Sequence, residues 1–189
     1  RLDPKDASSV DQLGRFLETA GRREEAAEAF AEGVRRSPGS FWLQFALGSA
    51  CYGLGRADDA VIAHQEAVRL APEDKAGVAW NSYGLALESA RRFAEALDAF
   101  RRAHALGAPG DDGTSPSSER IARAEAAAAK QAAEIAEAAK LFEAETPPDA
   151  PGDQVRLARA LLEAGRPADA ASWFIEGFEA EPALANDPR

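Results

Sequence analysis

Arg35-Arg36-Ser37-Pro38 and Arg69-Leu70-Ala71-Pro72 stand 34 residues apart, and Arg1-Leu2-Asp3-Pro4 stands 34 residues before the first of them. A fixed period of this length marks a repeat array in place of a single globular core. Working outward from the prolines, the intervening residues align as well. Leu13-Gly14, Leu17, Gly21-Arg22, Ala26, Phe30 and Gly33 lead to Pro38. Leu47-Gly48, Cys51, Gly55-Arg56, Ala60, His64 and Ala67 lead to Pro72. A third copy, shifted by two residues, has Trp80, Tyr83-Gly84, Leu87, Arg91-Arg92, Ala96, Phe100 and Ala103, and closes at Ala108-Pro109. A fourth follows a gap: Leu157-Ala158, Leu161, Gly165-Arg166, Ala170, Phe174, Gly177 and Pro182. In this register Pro4 closes a repeat whose first part is missing, so the chain is expected to be a piece of a longer array.

The spacing predicts a helix hairpin per repeat. The Gly-Arg step ends the first helix with a residue that tolerates positive φ. Asp58 is the expected cap of the second helix in repeat two. Gly14, Gly48, Gly84 and Ala158 are expected to face Ala26, Ala60, Ala96 and Ala170, so that the two axes approach closely while Leu, Tyr, Phe and Trp fill the space beside them. The proline stops the second helix. Each hairpin leaves an apolar face that only its neighbour covers.

These residues resemble the tetratricopeptide repeat (TPR) family, over residues 7–108 and 151–184. The resemblance implies an all-α fold, a TPR α-solenoid in which antiparallel helix pairs stack into a right-handed superhelix. Cys51 and His64 depart from the family's aromatics, and Arg91 stands where the turn glycine belongs. The expected divisions are the end of a preceding repeat at 1–6, then repeats at 7–40, 41–74 and 75–109. A loop and long Ala-rich helix occupy 110–150, a fourth repeat 151–184 and a tail 185–189. A second, shorter resemblance lies in 154–189, where Phe174-Ile175-Glu176-Gly177-Phe178 and Asn186-Asp187-Pro188-Arg189 are similar to the C-terminal TPR segments of large bacterial serine/threonine protein kinases. It implies a kinase domain elsewhere in the parent protein; no Gly-rich phosphate loop or catalytic Asp motif lies in these 189 residues.

From Pro109 to Ala150 the period is abandoned. Gly107 through Ser115 reads as a loop, and Ser115-Pro116 as a capping residue followed by proline at the first helical position. Nothing breaks the helix from there to about 145, and Ala133 stands where a hairpin would turn. Ile121, Ala128, Ile135 and Phe142 recur every seventh residue, with Ala124, Ala132 and Ala138 between them, a stripe that asks for a helix against it. The expected partner is repeat three; pairing between chains and insertion into the protein's own groove are the alternatives. Thr114 to Ser118 is also a candidate phosphorylation stretch, although the capping role of Ser115 explains it without modification.

A net charge of −10 argues against nucleic acid. The acid is uneven: residues 1–108 carry 14 Lys and Arg against 16 Asp and Glu, and residues 109–189 carry 8 against 16. No apolar run approaches the ~20 residues that span a bilayer, and a cytoplasmic placement is expected. The single Cys51 excludes an internal disulfide. Cys51 and His64 invite a nucleophile–base reading, but both occupy positions of buried aromatics and no orienting third group is in view. They are expected in the core, and His104 at the surface. No catalytic residues, metal or cofactor are expected. Arg22-Arg23, Arg35-Arg36, Arg91-Arg92 and Arg101-Arg102 are expected near helix C-termini, where cations are favourable.

The TPR resemblance implies that first helices line a concave groove for an extended peptide or a helix. Carried over by position, that face holds Asp11, Arg15 and Glu18 from repeat one. Repeat two adds Trp42, Phe45, Ser49 and Tyr52, and repeat three adds Asn81, Leu85 and Glu88. The family's clamp for a C-terminal carboxylate needs several cations; the matching positions hold Asp11, Arg15, Ala46, Val78 and Ser82, so that ligand class is not expected. The expectation is a non-catalytic module that binds a protein or peptide partner inside a larger bacterial signalling protein. The alternative is a scaffold that self-associates through 116–145.

Overall fold

What separates the two helices of each pair is one left-handed residue. The computed structural model describes residues 7–107, 117–144 and 148–186. The expected remnant repeat at 1–6, the Ser115-Pro116 helix start and residues 187–189 of the tail lie outside the described residues. Among the described residues are nine α-helices and no strand: α1 (Ala7–Thr19), α2 (Arg23–Arg36), α3 (Phe41–Gly53), α4 (Ala57–Leu70), α5 (Glu73–Ser89), α6 (Phe93–Ala105), α7 (Ser117–Glu143), α8 (Pro151–Glu163) and α9 (Pro167–Ala180). A 3-10 turn, Pro182–Asn186, follows. The chain divides into two units, Arg1–Ala126 and Ala127–Arg189.

Gly21, Gly55 and Gly165 take φ of +75°, +73° and +74°. The amide after each reaches back across the turn, Arg22 to the carbonyl of Leu17, Arg56 to Cys51 and Arg166 to Leu161, all at 2.9 Å. This double-bonded ending satisfies carbonyls that the helix leaves open. Repeat three makes the same turn with Arg91 at φ 59°, and Arg92 donates to Leu87 at 2.9 Å. A side chain in this region is strained by about 1 kcal/mol or more. Arg91 offsets part of that by lying over the Phe93 ring, 5.5 Å from its centroid.

The next residue, always arginine, is the N-cap of the second helix. Asp58 therefore caps nothing; it lies in the first turn of α4, which Arg56 begins. Each arginine turns back onto the acid three residues on: Arg22 Nε to Glu25 at 2.5 Å, Arg56 to Asp59 at 2.8 Å, Arg92 to Glu95 at 2.7 Å and Arg166 to Asp169 at 2.6 Å. The acid sits where the helix dipole favours negative charge, and the arginine rides on the acid. Of the expected arginine pairs, Arg35, Arg36 and Arg102 do lie in last turns, whereas Arg22 and Arg92 stand at helix starts.

Inside each hairpin of the first unit, the glycine of the first helix makes room for a ring rather than for the alanine expected opposite it. A Cβ on Gly14 would stand 2.5 Å from the Phe30 ring, on Gly48 2.8 Å from His64, and on Gly84 2.6 Å from Phe100. Phe30 and Phe100 are among the most deeply buried side chains. Neighbouring hairpins share clusters, with Ala27 and Phe30 against Leu43 and Ala50, and Val61 against Ala86 and Leu87. The start of α7 closes this unit by adding Ala124 and Ile121 to the cluster around Leu87 and Phe100.

The second unit holds the rest of α7 with α8 and α9 around Ala138, Leu157, Leu161, Ala170 and Trp173. Here Ala158 carries the methyl that the glycines lack. The aromatic taken into the core is Trp173, edge-on to Phe142 at 5.7 Å, while Phe174 is half-buried. The seven-residue stripe of α7 is thus used within the chain, Ile121 and Ala124 in the first unit and Ile135, Ala138 and Phe142 in the second. Ala132 is exposed.

Gly55 has open space around it, so substitution there tests the backbone alone. Thermal melts should show Gly55→Ala lowering stability by about 1 kcal/mol and Arg91→Gly raising it by roughly half that, net of the lost ring contact.

Candidate functional site: the α1–α3 face

Helix α3 carries the candidate face because its sequence, FWLQFALGSACYG, is apolar nearly all round. Ser40 caps it, accepting from the Leu43 amide at 3.4 Å. Phe41, Leu43, Gln44, Gly48, Ala50 and Cys51 are buried, Gly48 against His64 of its own hairpin and Leu43 against Gly33 of the preceding one. The remaining stripe is Trp42, Phe45, Ser49 and Tyr52, spaced by three, four and three residues and hence on one side of the helix.

These four differ in what they offer. Trp42 is 51% and Tyr52 43% exposed. Ser49 is exposed, with its hydroxyl donating to the Phe45 carbonyl at 3.0 Å. Phe45 is half-buried, 5.7 Å from the Phe41 ring and edge-on to His64 at 5.4 Å, and it packs on the cluster holding Ala79 of α5. It therefore belongs as much to the junction of α3 with α5 as to the surface.

Across from this stripe α1 presents charge. Arg15 donates to Asp11 at 2.9 Å and is exposed. The Glu18 carboxyl is pushed up by burial, partly opposed by Arg15. Glu18 and Arg23 face Ser49, Ala50 and Gly53 across a cleft of about 100 Å³. Of the expected residues, Glu18 and Ser49 share this cleft, while Arg15, Trp42 and Tyr52 are exposed on α1 and α3.

The repeat-three residues are otherwise engaged. Asn81 is buried, its Oδ1 accepting from Arg120 at 3.2 Å. Glu88 takes a two-armed contact from Arg123, both bonds 2.9 Å. Leu85 is half-buried on the core cluster of α5 and α6. The start of α7 thus covers what was expected to be the third part of the groove. Arg120 and Arg123 were missed in the sequence, where the one available signal was their position flanking the Ile121 and Ala124 stripe.

Cys51 and His64 are both buried. Burial pushes the thiol up, against a smaller downward pull from Arg56, so it stays protonated and a poor nucleophile. Burial pushes His64 down from 6.5 to about 4. Its Nδ1 has no partner among the described residues, and Phe45 and Gly48 lie against its ring. His104 is exposed in the last turn of α6. Among the described residues no three His, Cys, Asp or Glu side chains converge as a metal site, and no helix is long and apolar enough to cross a membrane.

Residues 12–75 match the family model of the tetratricopeptide repeat. The fold is that of a TPR solenoid. Three solved structures share it. The first TPR of Spaghetti (RPAP3), solved with an HSP90 peptide, is 20% identical with a TM-score of 0.57, over 68% of this chain and 97% of that one. YrrB, described as a TPR protein with an unusual peptide-binding site, is 13% identical with a TM-score of 0.55, over 94% and 88%. The TPR2B domain of yeast Sti1, solved in complex with pHsp70, is 20% identical with a TM-score of 0.53, over 66% and 97%. Comparison with curated proteins gives no match.

His64 gives this site a pH dependence. Between about pH 6.5 and 4 the unfolded chain binds a proton that the folded chain refuses. The contribution of neutral His64 is therefore fully present above about pH 6.5 and lost progressively as the pH falls toward 4, by an amount on the order of a few kcal/mol. His64→Phe, which installs the ring that repeats one and three carry, should raise the melting temperature more at about pH 5 than at about pH 8. Equal shifts at both values would show that His64 does not titrate in this window.

Proposed function

We propose that the first unit is a non-catalytic protein-interaction module that takes an extended peptide or a helix of a partner against the α1–α3 face. The observation that supports this reading is that α3 exposes two aromatics, Trp42 and Tyr52, on the stripe whose Ser49 lines the charged cleft of Glu18 and Arg23. Aromatic anchors beside polar groups are the residue types that dominate peptide affinity. The site is narrower than the full groove: Arg15, Glu18, Trp42, Ser49 and Tyr52 carry it, Phe45 supports it from below, and Asn81, Leu85 and Glu88 stand outside it.

Two TPR neighbours were solved with chaperone-derived ligands, but the cation set of a carboxylate clamp is missing here, and Arg15 is already held by Asp11. The ligand is therefore a peptide recognised by its side chains rather than by a free C-terminus. The resemblance of residues 154–189 to kinase TPR tails supports reading the module as part of a larger bacterial signalling protein, working in the cytoplasm. Self-association through 116–145 has less support, because the stripe of α7 is packed within the chain.

The test is selection of peptides from a displayed random library against residues 1–189. Trp42→Ala and Tyr52→Ala should each weaken the selected peptides by roughly 10- to 30-fold, with little change in melting temperature. Phe45→Ala should lower the melting temperature, by about 2 kcal/mol of stability. Peptides that bind the Trp42→Ala/Tyr52→Ala double variant as tightly as the parent chain would remove this face as the site.

A further inference from the structure

We propose that His64 is a pH-sensitive latch beneath the α3 face: when its ring takes a proton, the contact of α4 with α3 loosens and a partner held by Trp42 and Tyr52 is released. The release rests on the function proposed above; the loosening does not. The ring sits where the hairpin has least room. A Cβ on Gly48 would stand 2.8 Å from each of its Cγ, Cδ2 and Cε1 atoms, and Phe45 meets it at 5.4 Å with the two planes 73° apart. The residue is 2% exposed, and its buried Nδ1 has no hydrogen-bond partner among the described residues. A neutral imidazole can leave Nδ1 as an unprotonated acceptor. An imidazolium donates from both nitrogens, and its Nδ1 proton would meet no acceptor there.

No counter-charge answers that proton. The titratable groups of α3 are Cys51, which burial keeps protonated, and the exposed Tyr52. On α4, Asp59 is held by Arg56 and Glu66 by Arg69, while Asp58 is exposed. On α5, Asp74 is held by Lys75 and Glu88 by Arg123, Glu73 is exposed, and burial pushes the Tyr83 hydroxyl up. None of these acts on the ring, and burial alone moves it from 6.5 to about 4. Phe30 over Gly14 and Phe100 over Gly84 fill the same slot with rings that never charge. Of the three slots floored by glycine, the titratable one belongs to the hairpin with the exposed aromatics.

The path from the ring to the surface is short. Phe45 belongs to the stripe of Trp42, Ser49 and Tyr52, and its carbonyl accepts from the Ser49 hydroxyl at 3.0 Å. Phe41 packs on both Phe45, at 5.7 Å, and Trp42, at 4.9 Å. A displaced ring therefore unseats the residue on which the stripe rests. The far sides of the hairpin are held, α3 by Leu43 against Gly33 and α4 by Val61 in the cluster of Ala86 and Leu87, so the loosening is local to the ring. In the loosened form water reaches the imidazole, which then gains a proton below about pH 6.5, while the closed form refuses it down to about 4. Partner affinity is full above about pH 6.5 and falls as the pH drops toward 4. By reciprocity, a bound partner holds the proton off.

Hydrogen exchange read by mass spectrometry tests the loosening without a ligand. Between about pH 7 and pH 5, after correction for the intrinsic rate, residues 41–70 of the parent chain should lose protection relative to 23–36 and 73–105. His64→Phe should keep it, and His64→Gln serves as a second non-titrating variant if His64→Phe loses helicity by circular dichroism. Loss spread equally over all three hairpins, or matched by both variants, overturns the proposal. The release is read with histidine-free peptides selected at about pH 7 from the displayed library. Their affinity for the parent should fall more on moving to about pH 5 than their affinity for either variant, by up to roughly 30-fold, the limit set by a pKa of about 6.5 in the loosened form. Glu18, whose carboxyl burial pushes up, is present in all three chains and cancels in the comparison. An equal fall in all three overturns the release. A library that yields no ligand at about pH 7 instead removes the function proposed for the face, and the exchange measurement decides the latch by itself.

Discussion

A ring lying on a helix that has no Cβ at the point of contact is the interaction on which this architecture rests. Phe30 over Gly14, His64 over Gly48 and Phe100 over Gly84 set how closely the two helices of each hairpin approach. Once that distance is set, the left-handed turn at Gly21, Gly55 or Arg91 closes the pair with two backbone bonds. The flanks of the hairpin are then flat enough to stack, and only stacking buries them. The candidate face on α1 and α3 is a consequence. It is the side of the first-helix layer that neither its own hairpin nor its neighbours cover.

Much of this was legible because it is local. A 34-residue period and a glycine at the turn both act within one hairpin, and the helix pairs follow from them. The misreadings are local rules applied without the pairing partner. Asp58 looked like a cap, but the Schellman-type ending already places Arg56 at the helix start, and the acid serves the arginine. Arg91 shows that the turn geometry outranks the residue preference at that position. The glycines were matched to alanines on helical spacing, whereas the bulk that needs their space is the ring one turn further on.

The candidate site was less legible, for a different reason. Trp42 and Tyr52 were found because the groove positions of a TPR first helix carry over within a single element. Asn81 and Glu88 belong to the same pattern, yet they meet Arg120 and Arg123 from 39 and 35 residues away. Nothing in the sequence of α5 reports that the helix after the loop will lie across it. Ile121 and Ala124 of α7 join the core of the first unit, and Ile135, Ala138 and Phe142 join that of the second, so the stripe is shared by two clusters.

His64 carries a further meaning once the array is seen as a row of nearest neighbours. Hairpins one and three are built around phenylalanine, and the hairpin between them around a group that water would rather hold. In such a row the middle member is held by an interface on each side, so the cost of burying His64 falls where two junctions offset it. That hairpin also carries Trp42 and Tyr52, so a partner bound there would add to the hold its neighbours already have on it.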